Sequence, residues 1–247
     1  MVGTPAWLWL NLLSLDAPIV ALVWQDLAAR SFGNPLRFAA RIVLGLTVWA
    51  IYLADRLLDI RGTGPTPNTP RHNFCRLHDC ALRILLAAVL AVDWFFAVVE
   101  LRHVVFLHGL ALAACVGAYL CIFPRRASGW EKQILAAILF SFGVLLVSET
   151  WLGPWHLLLP AAVFAILCLC NLVLIELWER HAERRRIWLA PAAVAVLAMV
   201  RSTGSWHNAI ALSGVLLSAL TISGPRITVG AKRILADAAL LTPLLFR

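Results

Sequence analysis

Charge is what this sequence has least of. Asp, Glu, Lys and Arg make up 14% of its 247 residues and hydrophobic residues 62%, giving a mean hydropathy of +0.85. One soluble domain of this length has no interior large enough to bury so much apolar surface, so the bilayer must be its solvent. No soluble domain and no internal repeat can be marked off, which leaves a single transmembrane helical bundle over residues 1–247. Residues Met1 to Ala6 carry no Lys or Arg, and no short apolar segment leads to a small-residue cleavage site. The first apolar stretch therefore reads as a retained membrane helix and not a cleaved leader. Cysteine is sparse. Cys115, Cys121, Cys168 and Cys170 lie in apolar stretches, as small buried residues do. His72, Cys75, His78 and Cys80 form a short run without the paired CxxC and HxxxH spacing of zinc sites, and a disulfide is not expected in a reducing cytosol.

What the chain has in abundance is apolar runs of about 17 to 25 residues between charged or Pro/Gly-rich breaks, the length that crosses a membrane as a helix. Nine such runs predict an all-α polytopic membrane helix bundle of about nine transmembrane helices: 7–29, 38–60, 81–100, 103–123, 132–151, 157–179, 186–201, 207–223 and 230–246. The stretch from Arg61 to His78 is the one long loop. Lys and Arg set the orientation, because short cytoplasmic loops collect them. The loops after the second, fourth, sixth and eighth runs hold 15 of the 21 basic residues, from Arg56 to Arg233. The expected topology thus has the N-terminus and these loops in the cytoplasm, in a membrane of the bacterial plasma (inner) type. The net charge of +8 is then explained by topology and anionic lipid headgroups, with no call for nucleic acid. Most of the eleven tryptophans, including Trp7, Trp9, Trp151, Trp155 and Trp188, fall near run ends, where aromatic belts form.

Acidic residues are few, 13 in all, and the places where they gather carry the functional argument. Asp55 and Asp59 are four residues apart at the end of the second run. On a helix that spacing puts both on one face, where two unneutralised carboxylates repel. A cation between them relieves the repulsion, and Mg²⁺ is commonly held by one or two carboxylates plus the phosphates of a substrate. The second gathering is Glu176, Glu179 and Glu183, preceded by Asn171, at the end of the sixth run and on the same expected side. Their i, i+3, i+7 spacing shares one helix face. Two readings of this cluster stay open: a second ligand set, or a solvated helix end whose glutamates pair with Arg180, Arg184, Arg185 and Arg186. Asp16, Gln25, Asp26, Asp93 and Asp237 lie within runs, where helix-to-helix hydrogen bonding or an interfacial position is the ordinary role.

The number of runs, the placement of the two clusters and their common side resemble the UbiA-type intramembrane prenyltransferases. These are nine-helix bundles with an NDxxDxxxD motif at the cytoplasmic end of the second helix and a further Asp-rich motif at the end of the sixth. Ala54-Asp55-Arg56-Leu57-Leu58-Asp59 is similar to the latter half of the first motif, including the arginine that often follows its middle aspartate. Thr69-Pro70-Arg71 loosely resembles the Thr, Arg and Pro that follow in the family. Glu176-x-x-Glu179-x-x-x-Glu183 stands where the second motif has aspartates, and Ile51 and Tyr52 occupy the Asn-Asp head of the first.

The resemblance implies Mg²⁺-dependent transfer of a prenyl group from an allylic diphosphate to a lipophilic acceptor, quinone-like or otherwise aromatic. It implies Asp55, Asp59, Glu176, Glu179 and Glu183 as metal ligands, the first four of them catalytic. Arg56, Arg61, Arg71 and Asn171 become substrate-binding residues, with arginine suited to bidentate phosphate contacts. Metal and arginine would neutralise the departing diphosphate while the apolar interior kept water from the allylic cation. The alternative is a non-catalytic or transport-type integral membrane protein that keeps the bundle with a degenerate motif.

Overall fold

A computed structural model of the chain describes residues 13–60, 70–122, 130–148, 154–180, 187, 189–201, 204–223 and 227–246. Among them every regular element is helical: α1 (Asp16–Ser31), α2 (Phe38–Ile60), α3 (Pro70–Leu77), α4 (Asp79–Glu100), α5 (His103–Ile122), α6 (Trp130–Leu145), α7 (Leu158–Glu179), α8 (Leu189–Arg201), α9 (Ser205–Ile222) and α10 (Val229–Ala239). Short 3₁₀ turns at Leu146–Ser148, Pro154–Leu157 and Thr242–Leu245 complete the set.

Among the described residues six segments are long and apolar enough to cross a bilayer: Phe38–Leu58, Asp79–Glu100, His103–Ile122, Trp130–Ser148, Leu158–Glu179 and Ser205–Ile222. All nine runs read from the sequence contain a helix. Three of these helices are short, however: α1 has 16 residues, α8 has 13 and α10 has 11. At 1.5 Å per residue none reaches across a hydrocarbon core of about 30 Å by itself. Two of them are also interrupted by charge, with Asp26 and Arg30 inside α1 and Lys232, Arg233 and Asp237 inside α10. The stretch expected as one long loop also differs, since Pro70–Leu77 is helical. Pro70 suits a first helical position, where its missing N–H is not needed and its φ is already helical.

The chain divides into two compact units, residues 1–22 with 37–128 and residues 23–36 with 129–247. In the first unit α2 packs along α4, and α3 lies against both. Leu53, Leu57, Cys75 and Leu82 form a buried cluster there, with Trp49, Ile60, Phe74, Leu85 and Leu86 around it. Two side chains add directional bonds. Trp49 Nε1 donates to the Leu13 carbonyl at 2.9 Å, and Thr47 Oγ1 donates to Asp93 Oδ2 at 2.7 Å. The second bond joins α2 to α4 within membrane-length segments, which is how an acid at such depth is normally accommodated. Helix α5 is apolar on every side and mostly exposed.

In the second unit α8 pairs with α9, α6 pairs with α7, and α7 also meets α8, α9 and α10. Its centre is aromatic. The rings of Trp24 and Phe164 are 4.4 Å apart, and Trp206 stands edge-on to both at 5.2 and 5.3 Å. Trp24 Nε1 donates to the Leu240 carbonyl at 2.7 Å, satisfying the indole N–H where no water reaches. These tryptophans, with Trp178, are core residues and not belt residues. Of the belt candidates, Trp7, Trp9, Trp151 and Trp188 lie outside the described residues, and Trp155 falls in the Pro154–Leu157 turn. Gly214 allows α9 to approach α8, because a Cβ there would sit 2.6 Å from the Pro191 carbonyl oxygen.

Candidate functional site

In the first unit α2 runs unbroken to Ile60, so Asp55 and Asp59 fall in its last two turns at i and i+4. Asp55 is half-buried, as is Arg56 beside it. The apolar side of the same helix end, Leu53 and Leu57, is covered by Cys75 from α3 and Leu82 from α4. That packing holds α3, which carries Arg71 and Arg76, against the end of α2 where the aspartates sit. Sequence reading placed Arg71 in a loop. Its seat on a docked helix follows from apolar contacts made by Phe74 and Cys75. Cys75 is thus a packing residue, and the His78 ring lies tilted against Phe74 with centroids 4.7 Å apart. Arg61, also expected at the site, lies outside the described residues.

The second cluster lies in the second unit, at the end of α7. Both described glutamates have partners. Glu176 accepts from Gln133 Nε2 of α6 and pairs with Arg180 at 2.8 Å. Glu179 pairs with Arg233 of α10 at 3.0 Å. Three helices are therefore tied together at one corner by side chains that sequence reading treated separately. Gln133 was not singled out, and Lys232 and Arg233 counted only as topology charges. Their signal was weak, because a single polar residue at a helix start looks like any interfacial residue. Asn171 is buried two turns deeper on α7, and its Oδ1 accepts no hydrogen bond from the described residues. Glu183 lies outside the described residues.

The buried cation of this corner is Lys232, 2% exposed, with its Nζ 5.5 Å from the centre of the equally buried Trp178 ring. The face of an indole is the best aromatic support for an ammonium removed from water. Beside it, Arg233 uses one Nη for Glu179, while its Nε–H is buried and meets no acceptor among the described residues.

Among the described residues no three His, Cys, Asp or Glu side chains are grouped closely enough to hold a metal ion alone. The donors suit a different arrangement. Carboxylate oxygens are hard donors of the kind that Mg²⁺ takes together with phosphate oxygens and water. They do not suit an all-protein cage.

Among the described residues the fold is all-α with six membrane-length apolar helices, which points to an integral membrane protein. No family model, curated protein or solved structure matches the chain.

Proposed function

We propose that this protein is a divergent UbiA-like intramembrane prenyltransferase that moves a prenyl group from an allylic diphosphate to a lipophilic, quinone-like or other aromatic acceptor. One observation carries the reading. The Asp55/Asp59 pair ends a membrane-length helix in unbroken helical register, and an arginine-bearing helix is packed onto that same end. Paired carboxylates with arginines nearby are what a metal-bound diphosphate needs at the surface of an apolar bundle. On this reading Asp55, Asp59, Glu176, Glu179 and Glu183 give oxygens to Mg²⁺, and Arg56, Arg61, Arg71 and Asn171 bind substrate. Bound Mg²⁺ supplies charge neutralisation for the leaving diphosphate. The chain's own residues orient the phosphates and exclude water from the allylic carbon. The same reading counts α1, α8 and α10 among nine spans, places both clusters in the cytoplasm and the protein in a bacterial-type plasma membrane.

The test is Mg²⁺-dependent protection of the purified protein by farnesyl diphosphate against heat. Wild type should gain several degrees, and Asp55→Asn and Asp59→Asn should abolish the gain. Protection that ignores both Mg²⁺ and these substitutions would sink the proposal.

A second reading, a non-catalytic or transport-type membrane protein, is favoured by the state of Glu176 and Glu179. Both are engaged by Gln133, Arg180 and Arg233. A carboxylate already paired with a guanidinium is a helix tie before it is a metal ligand. Retained folding with no diphosphate response in any variant is the outcome expected from this second reading.

A further inference from the structure

We infer that Asp93 of α4 and Thr47 of α2 form a proton-binding site inside the membrane, where the Asp93 carboxyl takes a proton from water and holds it as an un-ionised acid. This site stands apart from the proposed prenyl transfer and does not depend on it. Leu82, Leu85 and Leu86 of α4 pack with Leu53 and Leu57 of α2, and farther along the same helix pair Asp93 meets Thr47. Asp93 lies seven residues before the end of α4, and Thr47 nine residues after the start of α2. At 1.5 Å per residue the pair is thus about 10 to 14 Å from the nearer end of either helix. Both helices contain membrane-length apolar segments. An ionisable residue at such depth is costly to keep charged, and acids so placed serve as proton or ion sites.

The bonding around Asp93 is incomplete for a carboxylate. An ionised carboxyl has two acceptor oxygens. Oδ2 accepts from the Thr47 hydroxyl at 2.7 Å, whereas Oδ1 is buried and meets no donor among the described residues. Negative charge shared with an oxygen that nothing stabilises carries a heavy desolvation cost. A proton on Oδ2 removes the charge and reverses the bond. The new O–H donates to Thr47 Oγ1 along the same 2.7 Å line, an ordinary length between two oxygens. The Thr47 hydroxyl turns to the Val43 carbonyl one turn back, as threonine does within helices. Oδ1 is left as a neutral carbonyl oxygen, for which a missing donor costs far less. The nearest charged or titratable groups on the packed elements are Arg41 and Tyr52 of α2, Arg83 and Glu100 of α4, and Asp16 of α1. Those on α2 and α4 stand at least five residues from the pair, more than a helical turn. Arg71, His72, Cys75 and Arg76 belong to α3, which packs at the opposite end of α4 through Leu82.

The test is infrared spectroscopy of the full chain in phosphatidylcholine nanodiscs at about pH 7, where an aspartate in water keeps its proton in only about one molecule in a thousand. The C=O stretch of an un-ionised carboxylic acid should be present in wild type and lost in Asp93→Asn, which keeps the shape of the side chain. Thr47→Val removes the hydroxyl and should move the band to higher frequency, and Thr47→Ser should return it. No acid band in wild type, a band that Asp93→Asn leaves in place, or one that Thr47→Val does not move overturns the site. Dicyclohexylcarbodiimide gives a second readout, because this apolar reagent adds to the acid form. The acid O–H adds across one C=N bond and no group leaves, so the labelled peptide gains the whole mass of the reagent. Asp93 should be labelled in preference to Asp79 at the helix start, and less so as the pH is raised. Equal labelling of both aspartates speaks against the site, and labelling slowed by Na⁺ at constant pH would replace the proton with a metal cation and overturn it.

Discussion

At the level of single residues, packing is decided by groups whose roles have no signature in the chain. Gly214 reads as one more small residue in an apolar run, yet a Cβ there would lie 2.6 Å from the Pro191 carbonyl oxygen and 3.1 Å from the Ala195 Cβ. Because backbone and not a flexible side chain is in the way, Gly214→Ala must push α8 from α9. The expected cost is about 1 to 3 kcal/mol, read as a lowered midpoint of thermal unfolding in detergent. An unchanged midpoint would show that the two helices separate freely. Trp24 offers a finer test, since its ring packs on Phe164 and Trp206 while its N–H serves the Leu240 carbonyl. Trp24→Phe keeps most of the ring but strands a buried carbonyl, a loss of about 1 to 3 kcal/mol. Trp206→Ala opens a cavity and should cost more, about 3 to 5 kcal/mol. The acidic clusters were legible at this level because charge is rare in the sequence and spacing on a helix is fixed. Of the partners of Glu176 and Glu179, Arg180 was legible one turn away, whereas Gln133 and Arg233 were not, being 43 and 54 residues away in the chain.

Among the elements, legibility follows length. The six long apolar helices stand where the runs predicted them, since a segment that must satisfy every backbone group inside a bilayer has few choices but the helix. Helix α3 was missed for the opposite reason. Eight residues with few apolar ones are too short to form a stable helix alone, so Pro70–Leu77 depends on tertiary contacts that no local pattern reveals. That dependence is measurable. Leu57→Ala and Leu82→Ala each remove part of the cluster that covers Cys75, at about 2 to 5 kcal/mol for a buried leucine. Amide exchange in residues 71–77 should rise sharply in both variants while exchange in the middle of α4 stays slow. If exchange rises equally in α4, α3 is not a separately docked element. Docking of α3 also bears on the candidate site, because Phe74 and Cys75 seat this helix, in whose sequence Arg71 and Arg76 stand, on the last turns of α2.

For the whole molecule, the hydropathy and charge of the sequence foretold an all-helical membrane protein. The number of crossings was harder to read, because apolar composition counts α1, α8 and α10 as spans while their helical lengths do not. Sidedness can be tested within the first unit alone. Helices α4 and α5 have 22 and 20 residues, each enough to cross, and only Leu101 and Arg102 join them. If both cross, Cys80 at the start of α4 and Ile122 at the end of α5 face one compartment, and Arg102 faces the other. Cys80 and Ile122 are both exposed. In a background with the other cysteines replaced, Cys80 alone and Ile122→Cys alone should react with a membrane-impermeant maleimide in inside-out vesicles. Arg102→Cys should react only in right-side-out vesicles. The proposed function, with the excess of Lys and Arg around α3, predicts that the Cys80 side is cytoplasmic, the side on which a soluble diphosphate would be found. Labelling of Cys80 from outside would reverse that assignment and remove the aspartate pair on α2 from reach of a cytoplasmic substrate. Labelling of all three positions from one side would mean that α4 and α5 form a hairpin that enters the bilayer without crossing it.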